Sequence, residues 1–98
     1  MVKLSDSEIY IMHVIWEKGK ATSFDILEKV QKDNMISEKT VRTLLLRMVK
    51  KKAIRVCQKD IRTNTYEALI DKDEFVKKSI EEFLEIHQMT KEELKGRL

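Results

Sequence analysis

A chain of 98 residues suits one small domain with an arm and is too short for two independent cores. It is 42% hydrophobic and 38% charged, with two glycines and no proline, which excludes collagen-like and low-complexity sequence. No apolar run approaches the ~18–20 residues that cross a bilayer, so no membrane insertion is expected. The first residues, Met1-Val2-Lys3-Leu4-Ser5-Asp6, lack the apolar stretch of a signal peptide, and the single cysteine, Cys57, cannot form an internal disulfide. Both features suit a reducing compartment, and a cytoplasmic location is expected.

Ser5-Asp6-Ser7-Glu8 has capping-box spacing, with Leu4 as a staple in front of it. Ile9, Met12, Ile15 and Trp16 follow at helical intervals, and Gly19 stands where a left-handed residue ends a helix, so a first helix is expected from Ser5 to Lys18. Ala21-Thr22 can form no more than a bridging strand. Thr22 or Ser23 then caps a second helix whose stripe is Ile26, Leu27 and Val30. Ser37 opens a third, in which Val41, Leu44, Leu45 and Met48 share one side.

After Ala53 the period changes from 3.6 to 2. Ile54 and Val56 alternate with Arg55 and Cys57, Lys59 to Asn64 reads as an exposed turn, and Thr65 to Ile70 returns with Tyr66, Ala68 and Ile70 on one face. Asp71-Lys72-Asp73-Glu74 starts a fourth helix carrying Phe75, Val76, Ile80, Phe83, Leu84 and His87, and Thr90 caps a short last helix with Leu94 and Leu98. The fold class is mainly α with a small β-hairpin wing: a winged helix-turn-helix over residues 1–70 and a C-terminal helical dimerisation arm over 71–98. The arm's apolar residues Phe75, Val76, Ile80, Phe83, Leu84, Leu94 and Leu98 would form too large a patch for a soluble monomer, which predicts a homodimer.

The net charge of +3 is unevenly spread. From Ser37 to Asn64 nine basic residues stand against Glu38 and Asp60, so this segment carries +7 and the rest of the chain −4. The outer side of the third helix holds Lys39, Arg42, Thr43, Leu46, Arg47 and Lys50 and no carboxylate, whereas a merely solvated helix mixes signs to gain i,i+4 pairs. In a winged helix-turn-helix this helix enters the major groove of double-stranded DNA. Cations and small polar or apolar groups on its face suit guanine edges and thymine methyls. Lys50, Lys51, Lys52, Arg55, Lys59 and Arg62 surround it as candidates for backbone phosphates, and the N–H groups at Ser37 and Glu38 offer a further phosphate contact.

Other chemistries find no support. His13, His87 and one cysteine give no metal-ligand spacing, and no nucleophile–base constellation or glycine-rich phosphate loop is present, so neither an enzyme nor a bound cofactor or metal is expected. Cys57 lacks a resolving partner and reads as a packed strand residue. Two other classes stay open: a winged-helix module that docks an acidic protein, and a ligand-responsive regulator.

The run Ser37-Glu38-Lys39-Thr40-Val41-Arg42-Thr43-Leu44-Leu45-Leu46-Arg47-Met48 resembles the recognition helix of the penicillinase-repressor (BlaI/MecI) family, which includes copper-responsive CopY repressors. Ile15-Trp16-Glu17-Lys18-Gly19, Ala21-Thr22-Ser23 before Asp25-Ile26, and Tyr66 at the end of the wing extend the resemblance over residues 4–70. It implies a homodimeric repressor that binds a palindromic operator through Lys39, Thr40, Arg42, Thr43 and Arg47, with the wing on the backbone. It also implies control of β-lactam-resistance genes and an upstream membrane sensor-protease pathway that relieves repression by cleavage. The stretch between wing and last helix is short for a cleavage segment, and the paired cysteines of the copper-responsive members are missing. Where the family commonly has glycine, at the helix-to-wing junction, this chain has Ala53; a left-handed residue there would cost about 1 kcal/mol more.

Overall fold

The computed structural model describes residues 2–34 and 36–97. The chain runs α1 (Asp6–Lys18), β1 (Lys20–Thr22), α2 (Ser23–Asn34), α3 (Glu38–Lys50), β2 (Ile54–Lys59), β3 (Asn64–Ala68), α4 (Lys72–Ile86) and α5 (Lys91–Arg97). Local chemistry sets most of these boundaries. Ser5 Oγ accepts from the Glu8 N–H at 3.2 Å while the Ser5 N–H donates to Glu8 Oε1 at 2.8 Å, closing the expected capping box. Thr22 and Asp25 cap α2 reciprocally at 3.0 Å. Ser37 Oγ accepts from the Thr40 N–H, and the Asp71 carboxylate from that of Glu74. Gly19, at φ 79°, ends α1 as expected.

The sheet has three antiparallel strands in the order β1-β3-β2. The short segment before α2 is thus a full edge strand, pairing Lys20–Thr22 with Glu67–Thr65. The hairpin register slips between Val56 and Gln58, so Cys57 has no cross-strand partner; its thiol donates to the Thr65 carbonyl at 3.4 Å. The wing turn is closed by the Asp60 N–H on the Thr63 carbonyl at 3.0 Å.

The end of α3 differs from expectation by one residue. The Lys52 N–H bonds the Val49 carbonyl and the Ala53 N–H that of Met48, both at 3.0 Å, which is the Schellman pattern. Its left-handed position falls on Lys52 (φ 62°), not Ala53, which is buried completely. Gln88 (φ 52°) ends α4 in the same way, with the Met89 N–H on the Leu84 carbonyl.

The core joins Ile11, Met12, Val14 and Ile15 of α1, Ile26 and Val30 of α2, the α3 stripe Val41, Leu44, Leu45 and Met48, and Ile54 and Tyr66 of the sheet. Helix α1 is apolar on two faces. Ile11, Met12 and Ile15 lie in the core, and Trp16 packs against it as expected; Trp16 also lines a cleft beside α4, together with Ile9, which was expected in the core. The Trp16 indole N–H donates to the Ile70 carbonyl at 2.9 Å, and its ring meets Phe75 edge-on, centroids 5.8 Å apart. Phe75 and Leu84 are therefore buried within the chain, whereas Val76, Ile80 and Phe83 remain 40–43% exposed. Leu94 is half-buried, and Leu98 lies outside the described residues.

Among these apolar groups Glu8 is wholly buried, with Lys51 Nζ 2.8 Å from its Oε1. The same ammonium donates to the Lys3 carbonyl at 3.0 Å. Burial pushes the Glu8 carboxyl up, but the bonds from Lys51 and Ser5 outweigh it and hold the pKa below the ordinary value. A carboxylate lowered in the folded state stabilises the fold above its unfolded pKa of 4.5 and loses that contribution as pH falls through the folded value. Glu8→Gln is expected to lower unfolding free energy at pH 7 by about 1–3 kcal/mol and to flatten the acid limb of the stability profile below roughly pH 4.5. Urea titrations from pH 3 to pH 7 check both.

Candidate nucleic-acid interface

Helix α3 turns one face into the core and the opposite face to solvent. Lys39, Thr40, Arg42, Thr43, Leu46, Arg47 and Lys50 are all exposed, opposite the buried Val41, Leu44, Leu45 and Met48. Arg42 and Arg47 stand roughly 140° apart around the axis, from five steps of 100°. Lys39, Thr43 and Lys50 lie between them. Arg42, Leu46 and Glu38 form the flank toward the wing, where they line a cleft of about 310 Å³ with Phe24 and Leu27 of α2 and the turn from Asp60 to Asn64.

The side chains differ in what they have free. Ser37 Oγ caps α3 and shares a hydrogen bond of 2.9 Å with the Thr40 hydroxyl. The Thr43 hydroxyl donates to the Lys39 carbonyl at 3.1 Å, so toward a groove it can only accept. The charge analysis leaves α3 without an i,i+4 pair, yet Glu38, in its first turn, sits 3.4 Å from Arg42. Both are well exposed, so the pair holds Arg42 only weakly and leaves it exchangeable.

Around the helix, two of the six residues named for phosphates are engaged. Lys51 is the partner of buried Glu8, and Arg55 pairs across the sheet with Glu67, directly opposite in register. Lys39, Arg47, Lys50, Lys52, Lys59 and Arg62 make no ion pair among the described residues. These six cations frame the exposed face of α3 from its first turn to the wing. The sequence reading passed over Phe24 and Ile61, which line the wing cleft and are 55% and 100% exposed. The signals were there: Phe24 lies off the α2 stripe, and Ile61 is an isolated apolar residue in a charged turn.

No group of His, Cys, Asp and Glu among the described residues could hold a metal ion, and no described helix is long and apolar enough to cross a membrane. An exposed cationic helix on a three-helix core with a wing is matched by known proteins. Residues 4–94 match the model of the penicillinase repressor family. The chain belongs to that family. It is 30% identical over 82 residues to the penicillinase repressor of Bacillus licheniformis, a match covering 84% of this chain and 63% of the relative, so it spans less than two thirds of that protein's length. The solution structure of the DNA binding domain of the repressor BlaI superimposes with a TM-score of 0.67 at 32% identity, over 72% of this chain and 85% of that one. The B. licheniformis BlaI monomer in complex with the blaP half-operator gives a TM-score of 0.62 at 33% identity, over 71% and 84% of the two chains.

The two lysines at the end of α3 are expected to separate experimentally. Lys51→Met strands a buried carboxylate and should lower stability by about 1–3 kcal/mol. Lys52→Gly relieves the left-handed position and should raise it by up to about 1 kcal/mol. Thermal and urea unfolding of the two variants against wild type measures both signs.

Proposed function

We propose that this protein is a sequence-specific DNA-binding transcriptional repressor of the penicillinase-repressor type, working in the cytoplasm as a homodimer on a palindromic operator. Genes of β-lactam resistance are the regulated class this reading favours, since the B. licheniformis relative is a penicillinase repressor. The observation that carries it is the exposed face of α3, whose cations Lys39, Arg47 and Lys50 have no acidic partner among the described residues. The likeness to a repressor solved on a half-operator supports the same reading.

In this reading residues 1–70 form the reading head and 71–98 the dimerisation arm. Helix α3 lies in the major groove, with Lys39, Arg42, Leu46 and Arg47 at base edges and Thr40 and Thr43 as acceptors beside them. Lys50, Lys52, Lys59 and Arg62 meet phosphates, joined by the N–H groups that open α3 at Ser37 and Glu38. Lys51 acts from behind, by fixing the end of α3 on α1. Val76, Ile80 and Phe83, the exposed part of the arm's stripe, pair across a two-fold axis with Leu94 at the edge. Such a dimer places two recognition helices about 34–36 Å apart, one turn of B-DNA.

The test begins with duplexes selected from a random pool by the full chain, followed by fluorescence-anisotropy titration over a salt series. Arg47→Ala is expected to cost about 1–3 kcal/mol on the selected operator and less on mixed sequence. Lys59→Ala should weaken both equally and reduce the salt slope by about one unit. Equal binding by wild type and the Arg42→Ala/Arg47→Ala double variant would remove α3 as the reading element. A module that docks an acidic protein gives no shift on duplex at any salt concentration. Ile80→Asp, at a position 40% exposed in the protomer, is expected to leave the fold intact and convert the dimer to monomer in sedimentation velocity.

A further inference from the structure

The exposed large apolar side chains fall mainly into two groups. Val76, Ile80 and Phe83 line the cleft between the arm and α1, while Phe24, Leu46 and Ile61 line the cleft between α2, α3 and the wing tip. The arm accounts for the first group only. A single exposed isoleucine needs no explanation, but three large apolar side chains converging on one cleft beside a cationic face do.

We propose that the wing cleft is an apolar half of the DNA interface that takes the deoxyribose–phosphate strand running between the two grooves, with Ile61 and Phe24 packed against its sugars. This rests on the DNA-binding reading above and extends it to residues that carry no charge. The position follows from the docking itself: with α3 in the major groove and the wing on the flanking backbone, the intervening strand crosses the gap between them. The gap shares Arg42 and Leu46 with the recognition face, so the two surfaces are continuous.

The cleft is also built in advance. The Ser23 N–H donates to Thr63 Oγ1 at 3.1 Å and the Asn64 N–H to Ser23 Oγ at 3.4 Å, so the start of α2 and the wing are joined at their base. Phe24 follows directly. At the tip, the Ile61 N–H donates to Asp60 Oδ1 at 2.6 Å, which helps to fix the backbone that presents the isoleucine. Little ordering cost is left for binding.

Its charges cancel, Arg42 and Arg62 against Glu38 and Asp60. A bare phosphate or an acidic peptide gains little there from electrostatics. A strand whose phosphates reach the two arginines while its sugars meet apolar walls suits it, and the share of affinity from those apolar walls is then largely independent of salt.

The experiment titrates full-length wild type, Ile61→Ala, Ile61→Met, Phe24→Ala and Arg62→Ala on the duplex selected by wild type, each over the same salt series. Circular dichroism melting confirms the fold of each variant. Ile61→Ala is expected to bind roughly 5–20-fold more weakly at every salt concentration with an unchanged slope, Phe24→Ala likewise, and Ile61→Met to recover most of the loss. Arg62→Ala changes the slope by about one unit. Binding by Ile61→Ala and Phe24→Ala within twofold of wild type overturns the proposal, as does a loss that appears only at low salt. Failure of wild type to bind any selected duplex would instead overturn the DNA-binding reading, and this inference with it.

Discussion

The orientation of α3 is decided behind it rather than on its exposed face. Val41, Leu44, Leu45 and Met48 are each at most 7% exposed, and burying such side chains contributes about 1.5–3 kcal/mol apiece. The one ion pair on the outer side among the described residues, Glu38–Arg42, is an exposed pair of the kind that contributes at most about 1 kcal/mol. Because packing and not pairing fixes the helix, its cations need no acids of their own. Glu8 and Lys51 lock the far end: their bond ties the last turn of α3 to the first turn of α1, across 43 residues of sequence. One pair of basic residues thus does two jobs at adjacent positions, Lys51 turned inward to the carboxylate and Lys52 outward at the left-handed turn into the wing.

How far the sequence foretells this depends on the range of each interaction. Ser5 with Glu8, Ser37 with Thr40 and Asp71 with Glu74 are contacts within one turn, and the helix starts they set were legible as spacing alone. The α3 stripe was equally legible, since a helix buried on one side has one unambiguous period. Helix α1 does not: apolar on two faces, it offers two registers, and only the presence of α4 decides that Trp16 turns to Phe75 while Ile11 turns to the core. Glu8 read as a capping residue because that half of its role is local; its burial against Lys51 depends on where α3 ends. Arg55 looked free for the same reason, its partner Glu67 lying opposite on a strand whose register no spacing rule fixes through a bulge.

The left-handed residue at the helix-to-wing junction shows how such an error arises. The family resemblance implies a glycine near this point, and the residue count from Ser37 does not say which residue closes the last turn. The hydrogen bonds do: with the Ala53 N–H reaching back to Met48, the preceding residue must be the left-handed one. Ala53 can then be small for another reason. It is fully buried in the core, and its carbonyl accepts from the Leu69 N–H at 2.9 Å, tying the start of the hairpin to its end.

Helix α1 links the two functions proposed for the chain. Its core face carries the reading head, its first turn holds the end of α3 through Glu8, and its second face holds the arm through Trp16, which bonds the Ile70 carbonyl at the hinge and packs on Phe75 just beyond it. The path from Lys51 to Phe75 therefore passes along α1 from Glu8 to Trp16, about two turns of helix, rather than through the wing. In a two-fold assembly formed by Val76, Ile80 and Phe83, the separation of the two recognition helices is then set by how α4 meets α1. An arm attached only by the loop after β3 would swing freely and could not hold a fixed half-site spacing. In the proposed dimer, spacing would rest on that edge-on aromatic contact and the indole hydrogen bond, and base preference on the outer side of α3. Helix α1 thereby holds both, the end of α3 through Glu8 and the arm through Trp16.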